Sequence, residues 1–139
     1  MANTAAICDS FKQDILNGVH QPGDTYMCAL YTSSGTLSKS TTAYTPVGEA
    51  VDSLSSYVAG GQALTGFTTG LNTDTAYLTW NSPSWPASSL TNVTGALIYN
   101  SSRSNKSVCV LTFPASSTTD GTFTVVLPTT AGAQTVTIS

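Results

Sequence analysis

GALIYNSSRSNKSVCVLTF, residues 95–113, sets two apolar runs on either side of a polar tip. The first run is Ala96–Tyr99; the second is Val108–Leu111 with Phe113. Both are strand-length and rich in β-branched or aromatic residues. Between them Asn100–Ser107 contains no apolar residue, which predicts a hairpin with largely buried strands and a wet loop. That loop also carries Arg103 and Lys106, two of only four basic residues in the chain. Half the positive charge of an acidic protein on one hairpin tip marks both as exposed candidates for contacts between molecules.

Working outward, the same period-two reading recurs. Tyr26–Tyr31 is apolar on both faces and reads as a central strand within 25–33. A weak strand covers Gln62–Thr65, a clearer one Ala76–Trp80, a strong alternating one Phe123–Leu127 after the Asp120-Gly121 turn, and a last one Gln134–Ile138. Pro83 and Pro86 predict an irregular, stiff loop that holds Trp85. Residues 34–61 read as a long irregular excursion, which in a compact domain is functional or mobile. Residues 7–19, ICDSFKQDILNGV, are the one good helix candidate, placed at about 8–18. Ile7, Phe11 and Ile15 lie on its apolar stripe, with Leu16 and Val19 as further candidates, Asp9 or Ser10 as its cap and Gly18 as its end. So short a helix needs something to dock on, either a sheet of its own domain or a neighbouring subunit. The chain therefore predicts a single domain over 1–139: mainly β, an antiparallel β-sandwich-like fold over about 25–139 with one short N-terminal α-helix. Its core residues include Leu30, Leu97, Ile98, Val110, Leu111, Phe123 and Val125.

Composition narrows function by exclusion. Net charge is −3 without a basic cluster, so no duplex nucleic acid partner is expected. No apolar stretch is long enough to span a membrane, and Asp9, Lys12 and Asp14 break the pattern of a secretion signal, so folding in a cytosol is expected. Cys8, Cys28 and Cys109 are odd in number and each lies in an apolar pattern, which predicts buried free thiols. Charged residues are only 8% of the chain, against about 25% on average, and Ser and Thr make up roughly a third. A hydroxyl surface can be covered without desolvating unpaired charge, and so suits packing beside many copies or a partner. It also follows in part from the liking of strands for threonine.

Chemistry is sparse. His20 is the only histidine and reads as a surface turn residue; nucleophilic catalysis would need a base beside its nucleophile. The seven acids are scattered, and the closest non-helical pair, Glu49 and Asp52, falls in a loop expected to be flexible. No phosphate-cradling glycine loop and no metal-ligating spacing occurs, so no catalytic residue, cofactor or metal is expected. Trp85, with Tyr44 and Tyr57, is read in two ways: as exposed loop aromatics that stack on a sugar or anchor a partner, or, for Trp85, as a ring folded over the sandwich edge.

The blocks ICDSFKQDILNGVH, ALYTSSGTL, TTAYT, YVAGGQAL and GALIYNSSRSNKSVCVLTF, in this order, resemble a group of small virion structural proteins of tailed bacteriophages. Ala29–Leu37, Tyr57–Leu64 and Gly95–Lys106 are the most characteristic. The resemblance implies a non-enzymatic virion component made in the bacterial host cytoplasm. Most directly it implies a capsid decoration or cement protein on the head surface, with the major capsid protein or another virion protein as partner. A homo-oligomer is expected, with a trimer suited to the threefold positions between capsomers. The alternative is a tail- or fibre-associated module that binds host glycan or another virion protein.

Overall fold

The computed structural model describes residues 3–127 and 135–138. In chain order its elements are β1 (Ala6–Ile7), α1 (Asp9–Leu16), β2 (Tyr26–Thr32), β3 (Gln62–Ala63), β4 (Thr68–Asn72), β5 (Thr75–Thr79), β6 (Ser84–Ser88), β7 (Val93–Asn100), β8 (Lys106–Ser116), β9 (Gly121–Thr124) and β10 (Val136–Ile138). The fold is mainly β and entirely antiparallel, with one short helix near its start.

The hairpin of β7 and β8 is the centre of the molecule. Leu97 stands opposite Val110 and Asn100 opposite Lys106. Ser104 and Asn105, both at positive φ, close the turn. Around this pair the main sheet is ordered β1-β8-β7-β2-β3, so the most apolar strands are internal and two-residue strands lie at both edges. β2 is central, as its two apolar faces predict, and it pairs with β7 from Tyr26↔Asn100 onward. A three-stranded sheet, β10-β5-β4, and a two-stranded one, β6-β9, complete the architecture. Tyr26 of β2 packs its ring 5.6 Å from Phe67 and 5.3 Å from Trp80, which joins the main sheet to the approach and exit of β4–β5. Leu30, Leu97, Ile98, Val110, Phe123 and Val125 are buried as expected.

Leu111 is a correction: it is only half-buried. β1 covers β8 only at Cys109 and Val110, so from Leu111 onward the strand loses its outer neighbour. The stiff irregular loop expected at Pro83–Pro86 is corrected too. Ser84–Ser88 pairs with β9, and the ladder breaks between Trp85 and Ser88, with Ala87 at φ 52°. Pro86 falls within that break, where no ladder hydrogen bond is required of it. β4 lacks apolar alternation and was not expected. Of the last predicted strand, Gln134 lies outside the described residues.

The helix is Asp9–Leu16, within the predicted span. Neither Asp9 nor Ser10 caps it: Cys8 holds the cap position in an extended conformation without a side-chain bond, and Asp9 pairs instead with Lys12. Its end is the one predicted. The Gly18 N–H donates to the Ile15 carbonyl and the Val19 N–H to that of Asp14, with Gly18 at φ +69°. These are the two bonds of a Schellman closure. The 34–61 excursion forms no strand, only isolated bridges Tyr31↔Glu49 and Ala43↔Lys106. All three cysteines are free and buried, and burial pushes the Cys28 thiol up to about 12.

Candidate functional site

The helix does not seal against the fold. Between α1 and the β4–β5–β10 sheet runs an apolar groove of about 450 Å³, walled by Phe11 and Ile15 on one side and Leu71, Leu78, Val136 and Ile138 on the other. A hollow of about 360 Å³ shares Phe11, Ile15, Val136 and Ile138 and extends to Leu16. The rim is the unusual part. Leu16 is 88% exposed, Leu71 74% and Ile138 52%. A scattered exposed leucine is ordinary, but three such residues along a groove and the hollow that adjoins it make an apolar patch of the kind that marks interaction surfaces. Val47, Val51, Leu54 and Val58, along the excursion, are a second group of exposed apolar residues.

Next to the groove, a polar network ties the helix end to the hairpin tip. His20 lines the groove with a side chain only 3% exposed, its ring 4.8 Å from Phe11 and 6.3 Å from Tyr26. Asn100 Nδ2 donates to His20 Nδ1 at 3.1 Å and to Asp24 Oδ2 at 2.8 Å. The Arg103 guanidinium grips Asp24 with both arms, Nε at 2.8 Å and Nη2 at 3.1 Å. Lys106 Nζ stands 3.8 Å from Asp14 Oδ2, and His20 Nε2 stands 3.7 Å from the same oxygen. The hydrogen bond from Arg103 leads in holding the Asp24 carboxyl well below the usual range, aided by Asn100 and the Gln21 amide against the opposing effect of burial. Burial pushes the His20 imidazole down, as does Lys106, while Asp14 and Asp24 pull it up; the balance is downward.

On the other side of the main sheet's β2 strand, acids pin the excursion. Glu49 accepts hydrogen bonds from Tyr44 Oη (2.6 Å), Tyr57 Oη (2.5 Å) and the Gly60 N–H (2.6 Å). Asp52 accepts from the amides of Leu54, Tyr57 and Ser89. Burial opposes its charge, but hydrogen bonds from Ser89, Tyr57, Leu54 and Ser56 outweigh it and depress its carboxyl. The expectation of a loosely held Glu49–Asp52 loop is thereby corrected.

The sequence-derived candidates divide between these places. Phe11 and Ile15 meet at the groove. Arg103 and Lys106 lie beside it with side chains 41% and 43% exposed, in keeping with the expected exposure. Each faces an acid of its own chain, because the Tyr26↔Asn100 register lays the hairpin tip against the 20–24 turn. Trp85 and Tyr57 are corrected as exposed loop aromatics: both are buried, their rings 5.5 Å apart. Trp85 thus follows the folded-over reading. Tyr44 is half-buried and stacks on Tyr99 at 4.9 Å. His20, expected on the surface, is inside. Asp14, Asp24 and Asn100 were missed; the signal for them was the short Gly18–Asp24 link, which leaves the helix end near the start of β2. Among the described residues no group of three His, Cys, Asp or Glu is placed to hold a metal ion, and no helix is long and apolar enough to cross a membrane. Compared with known proteins, the chain matches no family model, no curated protein and no solved structure.

Proposed function

We propose that this chain is a non-enzymatic virion structural protein, a capsid decoration or cement protein that binds the head surface and stabilises the shell. The observation that carries the reading is the set of exposed apolar residues, Leu71 and Ile138 at the groove and Leu16 at the hollow that adjoins it, both left open by the monomer. Apolar surface left in water costs about 25 cal/mol per Å², so association that covers it is favoured. In this reading the groove face joins copies of the chain into an oligomer, a trimer suiting the sites where three capsomers meet. The hydroxyl-rich remainder lies on the major capsid protein. The low charge supports this division, since a sparsely charged surface can be covered with little desolvation cost. Copies that bind each other as well as the shell add avidity, because the second contact is effectively intramolecular. The alternative, a tail- or fibre-associated module binding glycan, loses support with Trp85 and Tyr57 inside, since stacking on a sugar needs an open aromatic face.

The test compares particles lacking this protein, heated with and without purified protein added back. A ligand that binds only the intact shell shifts the equilibrium toward it, so the temperature of genome release should rise. Protein that does not bind the head, or binds without moving that temperature, overturns the cement reading.

A further inference from the structure

The geometry points to His20 as a proton-controlled latch that ties the segment following α1 to the tip of the β7–β8 hairpin. The argument begins with Asn100, which is fully buried. Its Oδ1 accepts the Ser102 N–H at 3.0 Å, and its Nδ2 donates to Asp24 Oδ2. Those bonds fix which end of the amide is which. Turning it over would set an oxygen against the Asp24 carboxylate and an NH₂ against the Ser102 N–H. The nitrogen facing His20 is therefore a donor, and His20 Nδ1 can only accept. The imidazole is held neutral with its proton on Nε2, toward Asp14.

Protonating the ring puts a hydrogen on Nδ1, and two donors then face each other at 3.1 Å in a buried site. The contact cannot survive in that form. Every charged or titratable neighbour is accounted for. Asp14 faces the ring from α1, and Asp24 from the turn before β2. Lys106 faces it from the start of β8, Arg103 is committed to Asp24, and the Tyr26 hydroxyl is occupied with the Gln21 carbonyl. The two acids favour a charged ring without offering Nδ1 an acceptor in place of Asn100. Acid therefore opens the His20–Asn100 contact, leaving Asn100 and Arg103 on Asp24 as the remaining side-chain ties between the hairpin tip and the 20–24 turn, and loosens a wall of the apolar groove.

Because the chain has one histidine, a single imidazole reports the device. The full-length chain, labelled with ¹⁵N, is titrated by NMR while amide protection is followed at Ser102 and Lys106. The expected result has three parts: the Nε2–H tautomer at neutral pH, a midpoint below the ordinary 6.5, and loss of protection at both amides through the same range. Between about pH 6.5 and the midpoint that loss should approach tenfold per pH unit, as for one proton bound on opening. Lys106→Gln should raise the midpoint, since it removes a cation that opposes protonation. His20→Gln should abolish the step in protection; should it not fold, the wild-type tautomer and midpoint decide the question. An Nδ1–H tautomer, a midpoint at or above 6.5, protection that is flat across the titration, or a folded His20→Gln chain that keeps the step would each overturn the latch.

Discussion

At the scale of residues, hydroxyl and carboxyl groups hold what the strands do not. Tyr57 accepts the Leu30 N–H at 2.9 Å inside the fold and donates to the half-buried Glu49. Burial first, and the Glu49 carboxylate second, push its phenol far up, so it stays protonated through any working pH. Tyr57→Phe should cost about 1–3 kcal/mol, the penalty for stranding a buried partner, read as a lower denaturant midpoint. Asp24 makes a prediction about acid. Its folded carboxyl lies below the unfolded value of 3.8, so the unfolded chain takes up the proton first as pH falls. Its contribution is complete above about pH 4 and is lost below it. Arg103→Ser should weaken the fold at pH 7 and flatten that acid dependence, seen in thermal melts from pH 2 to 7. The burial of Tyr57 was not legible in the sequence, and that of Trp85 only as one of two readings. Serine, proline and glycine around them signal a loop, while the acids that draw that loop inward act over distances no local pattern records.

At the scale of elements, the hairpin was legible because its two apolar runs are internal on both faces and need no other information. Truncating Leu97 to Ala should cost about 2–5 kcal/mol, since its side chain is fully buried. Leu111→Ala should cost less, roughly 1–2 kcal/mol, because much of its area is already wet. Denaturant midpoints of the two variants measure the difference directly. The helix was equally legible from Phe11, Ile15 and Gly18. Strands β4 and β6 were not: TTGLN has no alternation to read, and Pro86 argues against a strand unless the ladder break beside it is known. Register was the deepest loss. The acids facing Arg103 and Lys106 were not legible because sequence does not say that Asn100 stands opposite Tyr26, and so which acids await the tip.

At the scale of the whole molecule, helix accounts for 6% of residues, so circular dichroism should show far less than the one third usual in globular proteins. The open groove makes a sharper prediction. Replacing Leu16 and Leu71 together by Lys should leave the melting temperature of the monomer nearly unchanged, since both are already largely exposed. The same pair should disperse any oligomer to monomers by sedimentation. An oligomer that persists would place the subunit contact elsewhere, with the valine-rich excursion the next face to alter.

The two-residue strands β1 and β3 have a consequence for crowding. A long bare sheet edge is a template on which another chain can add a strand, the first step toward amyloid-like stacking. In the main sheet β7 is paired on both sides, β1 covers β8 at Cys109 and Val110, β3 covers β2 at Met27 and Cys28, and each outer strand offers two residues, too few to seed a ladder. Gly61, just before β3, tightens that cover: at φ +83° any Cβ there would fall 1.8 Å from the Cys28 carbonyl oxygen, so the backbone presses directly onto β2. A protein with so few charges has little electrostatic repulsion to keep its copies apart. Its protection from fusing sheet to sheet at high local concentration rests on geometry, and a side chain at position 61 should be enough to expose the edge and start fibrils.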